Sequence, residues 1–414
     1  MSNWKQISIG EFIDFNPHES IKKGSITRKI GMDKLGIFQR KINGSENLEY
    51  STGPKFRNKD TLVAKITPCL ENGKTAYVDN LNEDEVAFGS SEFIVLRENE
   101  NSDSKFIYYL ARSPLFRERA ISCMEGTSGR KRVNEGALKR QEILVPTTKT
   151  EQQRIASVLS ALDDKIELNN IINTELEQMA KTLYDYWFLQ FDFPNEDGKP
   201  YKFSGGKMVY NEVLKREIPE GWNVKKLEEI SNIINGYAFK SEWYDIKGVK
   251  IIRTKNFNNG YIFLDDIVYI SEERAKEFSK YELNSFDFLM VMVGASTGKF
   301  SVVNSNILPA LQNQNMWKFK SKDGNQFFLN LLLQNVITEL ENTTNGSARG
   351  FFQKDTFLNK YIIYPDEKFL TNFSKKVSNL YLKIDNNLRE NQELASLRDW
   401  LLPMLMNGQV KVED

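Results

Sequence analysis

The chain has 414 residues, 40% hydrophobic and 27% charged, a globular composition too long for one core, so two domains of about 150 residues with connectors are expected. Its 56 basic residues balance 56 acidic ones, so no overall field announces a nucleic-acid partner, although a local patch can still bind one. Two cysteines, Cys69 and Cys123, and one histidine, His18, exclude a disulfide framework and argue against histidine catalysis and zinc.

The N-terminal string MSNWKQISIG has no apolar signal core, and no run reaches the roughly 18 apolar residues of a membrane span. A cytoplasmic, reducing setting is expected. Residues 1–147 read as a first globular domain. Short β-type runs dominate it: 61–66 (TLVAKI), 74–78 (KTAYV), 92–96 (EFIVL) and 142–145 (EILV), with a helix at 105–112 (KFIYYLAR). Residues 148–188 follow as one long helix, opened by a capping box of Thr148 and Glu151. The linker 189–218 carries Pro194, Pro200 and Gly205-Gly206, which argue against a long regular element.

From Trp222 the plan repeats. Trp4 recurs as Trp222 and Lys165-Ile166 as Lys383-Ile384, each 218 residues on. In the second domain, 219–366, the runs 288–293 (FLMVMV), 299–303 (KFSVV), 316–319 (MWKF) and 361–364 (YIIY) parallel those of the first, with a helix at 327–340. Asp366 can cap a second long helix over 367–405, and a tail, 406–414, follows. The fold class is therefore α+β, with two pseudo-symmetric globular domains separated by two long helices.

Those helices carry the strongest periodicity. Ile155, Leu159, Leu162, Ile166, Asn169, Asn173, Leu176, Ala180, Leu183 and Trp187 step by four and three. Phe373, Val377, Leu380, Ile384, Asn387, Asn391 and Leu394 repeat the first seven, and the seam continues through Leu397, Leu401 and Leu405. Spacing of 3.5 makes a coiled-coil seam. Chain direction makes an intramolecular pair antiparallel, with a domain at each end. A pseudo-twofold axis then pairs Asn169 with Asn391 and Asn173 with Asn387, as register-fixing contacts; the alternative is that these asparagines are solvated. Helices of about 35 residues span roughly 50 Å, against 34–36 Å for one turn of DNA.

Catalytic strings are missing. GASTGKF at 294–300 has three residues between its glycines where a phosphate loop needs four, and Phe300 follows its lysine. The linker carboxylate Asp197 stands alone, where a nuclease clusters carboxylates around metal. The remaining signal is recognition. GTSGRKRVNEGALKR at 126–140 sets Thr127, Ser128, Arg130, Lys131 and Arg132 beside glycines, which suits phosphate approach and guanine readout. GSARGFF at 346–352 keeps Ser347 and Arg349. Gln312 and Gln314, expected on a strand-edge loop, suit adenine edges. Lys65, together with Lys74 and Lys299 at the paired hairpins, completes the candidate DNA-binding set; a solvated loop is the competing reading of 126–140 and of 346–352.

The strings ITPCLENGKT (66–75), EQQRIASVLSALDDKIE (151–167), IPEGW (218–222) and RDWLLPMLMNGQV (398–410) resemble the specificity subunit of type I restriction-modification enzymes, over essentially the whole chain. The resemblance implies two target recognition domains, each reading half of a split double-stranded DNA sequence, and paired helices acting as a spacer. It implies docking of modification subunits, two in number, which bind S-adenosylmethionine and methylate adenine, and of ATP- and Mg-dependent restriction subunits. No catalysis by this chain and no cofactor or metal bound by it are implied. A coiled-coil scaffold joining two protein-binding domains is the alternative.

Overall fold

The computed structural model describes residues 3–412 other than 128, 259, 265, 295 and 344–353. They form two compact units, Met1–Glu167 with Glu393–Asp414, and Leu168–Gln392.

In the first unit an antiparallel sheet takes the order Asp14–Phe15, Phe93–Arg97, Thr61–Ala64, Thr75–Tyr77. A second sheet takes the order Glu46–Glu49, Ile26–Ile30, Ala87–Gly89, Lys55–Phe56, and its central pair is parallel. Trp4–Ser8 pairs antiparallel with Glu142–Pro146. The second unit repeats this arrangement. Ser231–Asn235, Met316–Ser321, Phe288–Val291 and Phe300–Val302 form the antiparallel sheet. Val268–Ile270, Val249–Ile252 and Ala310–Gln312 form the other, again with a parallel pair. Asn223–Lys226 pairs with Tyr361–Tyr364. All four positions of Thr61–Ala64 and of Phe288–Val291 are buried. A strand covered on both faces is apolar throughout, which is why these two runs do not alternate.

The long helices run Lys149–Tyr184, extended by Asp185–Leu189, and Glu367–Met406. The Thr148 hydroxyl accepts from the Glu151 amide at 3.3 Å, and the Asp366 carboxylate from the Phe369 amide at 2.8 Å. Both start signals are therefore filled by the expected side chains.

Within the second unit the helices pack antiparallel. Asn169 Nδ2 donates to Asn391 Oδ1 at 2.9 Å, and Asn387 Nδ2 to Asn173 Oδ1 at 2.8 Å. Asn169, Asn173 and Asn387 are buried, so the solvated alternative fails for them.

The apolar seam departs from strict 3.5 spacing toward the C-terminal end of each helix. Leu397 is 43% exposed and Leu401 half-buried, while Arg398, Leu402, Leu405 and Met406 are buried in the first unit. Ala180, Tyr184, Trp187 and Phe188, each 218 residues earlier, are buried in the second. A straight α-helix of 3.6 residues per turn drifts off a 3.5 seam, so the buried face shifts by one position.

The linker holds a short hairpin, Met208–Asn211 with Arg216–Pro219. Phe193 stacks on Trp222 at 5.0 Å and Trp222 meets Phe369 at 5.1 Å, which fastens the linker to the second unit's core.

Candidate nucleic-acid interface

In the first unit the basic loop lies against the end of strand Thr61–Ala64. The Thr67 amide donates to the Lys131 carbonyl at 3.0 Å, and Ile66 bridges to Arg132. Lys65 reaches Glu135 at 3.5 Å. Arg132 clamps Glu92, with Nε and Nη2 at 2.9 and 2.8 Å from its two oxygens. That hydrogen bond holds the Glu92 carboxyl below its ordinary value. Arg130, Lys131 and Thr127 are exposed, and no ion pair joins Arg130 or Lys131 to another described residue. Gly129 has φ +86°, in the left-handed region that favours glycine, so the loop can turn back on itself here. Ser128 lies outside the described residues.

The structure brings Lys65, Lys131 and Arg132 together but sets Lys74 to another task. The Lys74 ammonium donates to the Met32 carbonyl at 2.9 Å, holding the loop after strand Ile26–Ile30. Lys299, at the matching hairpin of the second unit, is exposed.

In the second unit Gln312 corrects the expectation of a loop residue facing DNA. It ends strand Ala310–Gln312, is fully buried, and donates from Nε2 to the carbonyls of Ile234 and Met316 at 3.1 and 2.9 Å. An amide occupied inside the sheet cannot present an edge to a base. Gln314 is exposed, its backbone amide donating to the Tyr237 carbonyl at 2.8 Å. Ser347 and Arg349 lie outside the described residues.

One cluster escaped the sequence reading. Half-buried Tyr237, Trp243 and Tyr244 are faced by cations: Lys240 and Arg274 lie 5.3 and 5.0 Å from the Trp243 ring, and Arg253 lies 6.0 Å from Tyr244. Arg253 Nη2 donates to the Asp266 carbonyl, while its Nε is buried without a partner among the described residues. The signal was present in GYAFKSEWYDIKG at 236–248, where aromatics and lysines interleave.

Among the described residues, no three His, Cys, Asp or Glu side chains are placed to hold a metal ion, and no helix is long and apolar enough to cross a membrane. Exposed Thr127, Arg130, Lys131, Lys299 and Gln314 offer hydrogen-bond donors and cations, a set suited to phosphates and base edges.

The type I restriction modification DNA specificity domain family matches residues 1–178 and again 219–395. The MjaIX specificity subunit of Methanocaldococcus jannaschii is 30% identical over 318 residues, covering 75% of this chain and 70% of its own length. The HindI specificity subunit of Haemophilus influenzae is 24% identical, covering 99% of this chain and all of its own. Among solved structures, the type I restriction-modification S subunit of M. genitalium shares the fold, with a TM-score of 0.56 at 18% identity over 98% of this chain and 96% of its own.

Proposed function

The chain belongs to the type I restriction-modification DNA specificity family and is a DNA-recognising specificity subunit, and from that premise we propose that its two units read the two halves of one split DNA sequence. The observation that carries this reading is the recurrence, in each unit, of the four-stranded antiparallel sheet in the same order and of a parallel pair in the other sheet. Two copies of one recognition fold with different loop residues suit two short, unlike half-sites. Arg130, Lys131 and Arg132 with Lys65 and Thr127 serve the first half, and Gln314, Lys299, Arg253 and the Trp243 cluster serve the second. Ser128, Ser347 and Arg349 remain candidates on sequence grounds.

The helix pair is the spacer that sets the unread gap, with Asn169–Asn391 and Asn173–Asn387 fixing its register. Two modification subunits dock on the assembly and supply S-adenosylmethionine and adenine methylation. Restriction subunits supply the ATP- and Mg-dependent cutting, and this chain supplies only specificity.

The test is co-expression with the modification subunit in a host free of DNA methylation, followed by single-molecule sequencing for methyladenine. Methylation at one motif of two short halves around a fixed gap is expected. A recovered complex that methylates no such motif would leave the scaffold reading in place. Deleting seven residues around Ile166–Asn173 together with the antiparallel partner turns should change the gap and neither half.

A further inference from the structure

The two parallel strand pairs end in equivalent places. In the first unit the last paired residues are Ile30 and Gly89, and in the second they are Ile252 and Gln312. The next amide donates back in both: Ser90 to the Ile30 carbonyl at 3.2 Å, and Asn313 to the Ile252 carbonyl at 3.1 Å. Two residues further on, the carbonyls of Glu92 and Asn315 accept from Lys65 and Met292, each at 2.9 Å. Ser90-Ser91 therefore occupies the place of Asn313-Gln314, 223 residues later. A short 3-10 turn follows the other strand in each unit, Met32–Lys34 and Thr254–Asn256.

In the first unit these loops enclose a cavity of about 420 Å³, lined among others by Lys29, Gly31, Ser51, Thr52, Ser90 and Ser91. The wall is polar. Lys29 is half-buried, and no hydrogen bond or ion pair joins its ammonium to another described residue. Gly53 has φ +126° and lies so close to Gly89 that a Cβ would stand 2.5 Å from its carbonyl, which leaves the backbone bare beside the cavity. Ser91 adjoins Glu92, the carboxylate that Arg132 clamps, so the cavity opens next to the basic loop. Parallel strands present ligands at their carboxyl ends, where the loops diverge.

We infer that Lys29, Thr52, Ser90 and Ser91 form the base-reading pocket of the first unit, and that it takes an acceptor-rich base edge, guanine first, in the DNA half-site. The inference rests on the proposed split-target reading and deepens it. The lysine ammonium and three hydroxyls donate to the O6 and N7 acceptors of guanine, while Arg130 and Lys131 hold the neighbouring phosphates. In the second unit the same place carries the amides of Asn313 and Gln314, which suit an adenine edge. The difference between the two half-sites then begins at this one loop.

The experiment uses the assembled methyltransferase, this chain with its modification subunit, and sequences methyladenine across a genome. Lys29→Met and Ser91→Ala should each lower methylation of the native site about tenfold and relax the base preference within one half only. Ser91→Gln, which copies the Gln314 side chain, should shift the preferred base at one position rather than relax it. Thermal unfolding of each variant separates misfolding from misreading. An unchanged motif and rate in folded variants would overturn the inference, and so would uniform slowing with no altered base in either half. If the unaltered complex methylates no two-part motif, the split-target reading itself fails, a different result from either of these.

Discussion

Arg398 donates to Asp163 at 2.6 Å across 235 residues of sequence, and both side chains are buried in the first unit. The second Asp163 oxygen accepts from the Tyr109 hydroxyl at 2.7 Å, and Arg112 stands 3.9 Å away. Burial and the Asp163 charge push the Tyr109 hydroxyl well above its ordinary range, so it stays protonated and donates. The contact ties the two long helices to one another and, through helix Ser104–Arg112, to the first unit's core.

Removing one partner of such a pair strands the other. Arg398→Met should cost about 3–5 kcal/mol, read as a lower urea midpoint for the first unit. Asp163→Asn with Arg398→Met should cost less than the two single changes summed. Strict additivity would mean that the ion pair does not couple the helices.

Cysteines placed at Asn169 and Asn391 should form a disulfide under mild oxidation, detectable by peptide mass spectrometry, since the native amides meet at 2.9 Å. Asn169→Cys with Asn387→Cys, one heptad position out of step, should not. A cross-link in the second pair alone would show that the register is slipped.

Arg130 and Lys131 are exposed cations without ion-pair partners among the described residues. Each phosphate they neutralise contributes about 0.9 to the slope of log affinity against log salt. Changing both to alanine should flatten that slope by about 1.8 in the assembled complex. An unaltered slope would move the phosphate contacts elsewhere.

The Arg132 hydrogen bond lowers the Glu92 carboxyl. A carboxylate whose folded value lies below its unfolded one stabilises the fold at higher pH, and that contribution is lost as pH falls through the lowered value. Because the pair is largely solvated, the effect belongs in a titration curve rather than a melting curve. Arg132→Gln should return the Glu92 midpoint to the ordinary carboxylate range by NMR. A midpoint that stayed low would assign the shift to another group.

Periodicity and duplication carried most of the architecture. The runs 62–64, 93–96 and 288–291 are apolar because both faces are covered, and such strands announce themselves. The second sheet did not: Glu46–Glu49 is exposed at every position and Ile26–Ile30 is half polar, so neither shows a buried face. The asparagine pairing followed from symmetry, but the seam's slip to Leu402 and Tyr184 depends on the drift of a real helix, which a heptad count ignores. For the candidate site, charge drew attention to Arg130–Arg132. Gln312 was misread because strand and loop amides look alike in one dimension. The Ser90-Ser91 pocket carries no local signal at all, since two serines acquire meaning only from the strands that end beside them.

The first unit draws its last core residues, Leu402, Leu405 and Met406, from a segment made after all of Leu168–Gln392. On the ribosome, then, the half of the molecule begun first is the half completed last. The core that Ile155, Ala156 and Leu159 share with these residues is complete only when residues 393–412 emerge, by which time the second unit already has its full sequence. A premature stop within the final turns would therefore damage the domain that was translated first and spare the one translated second.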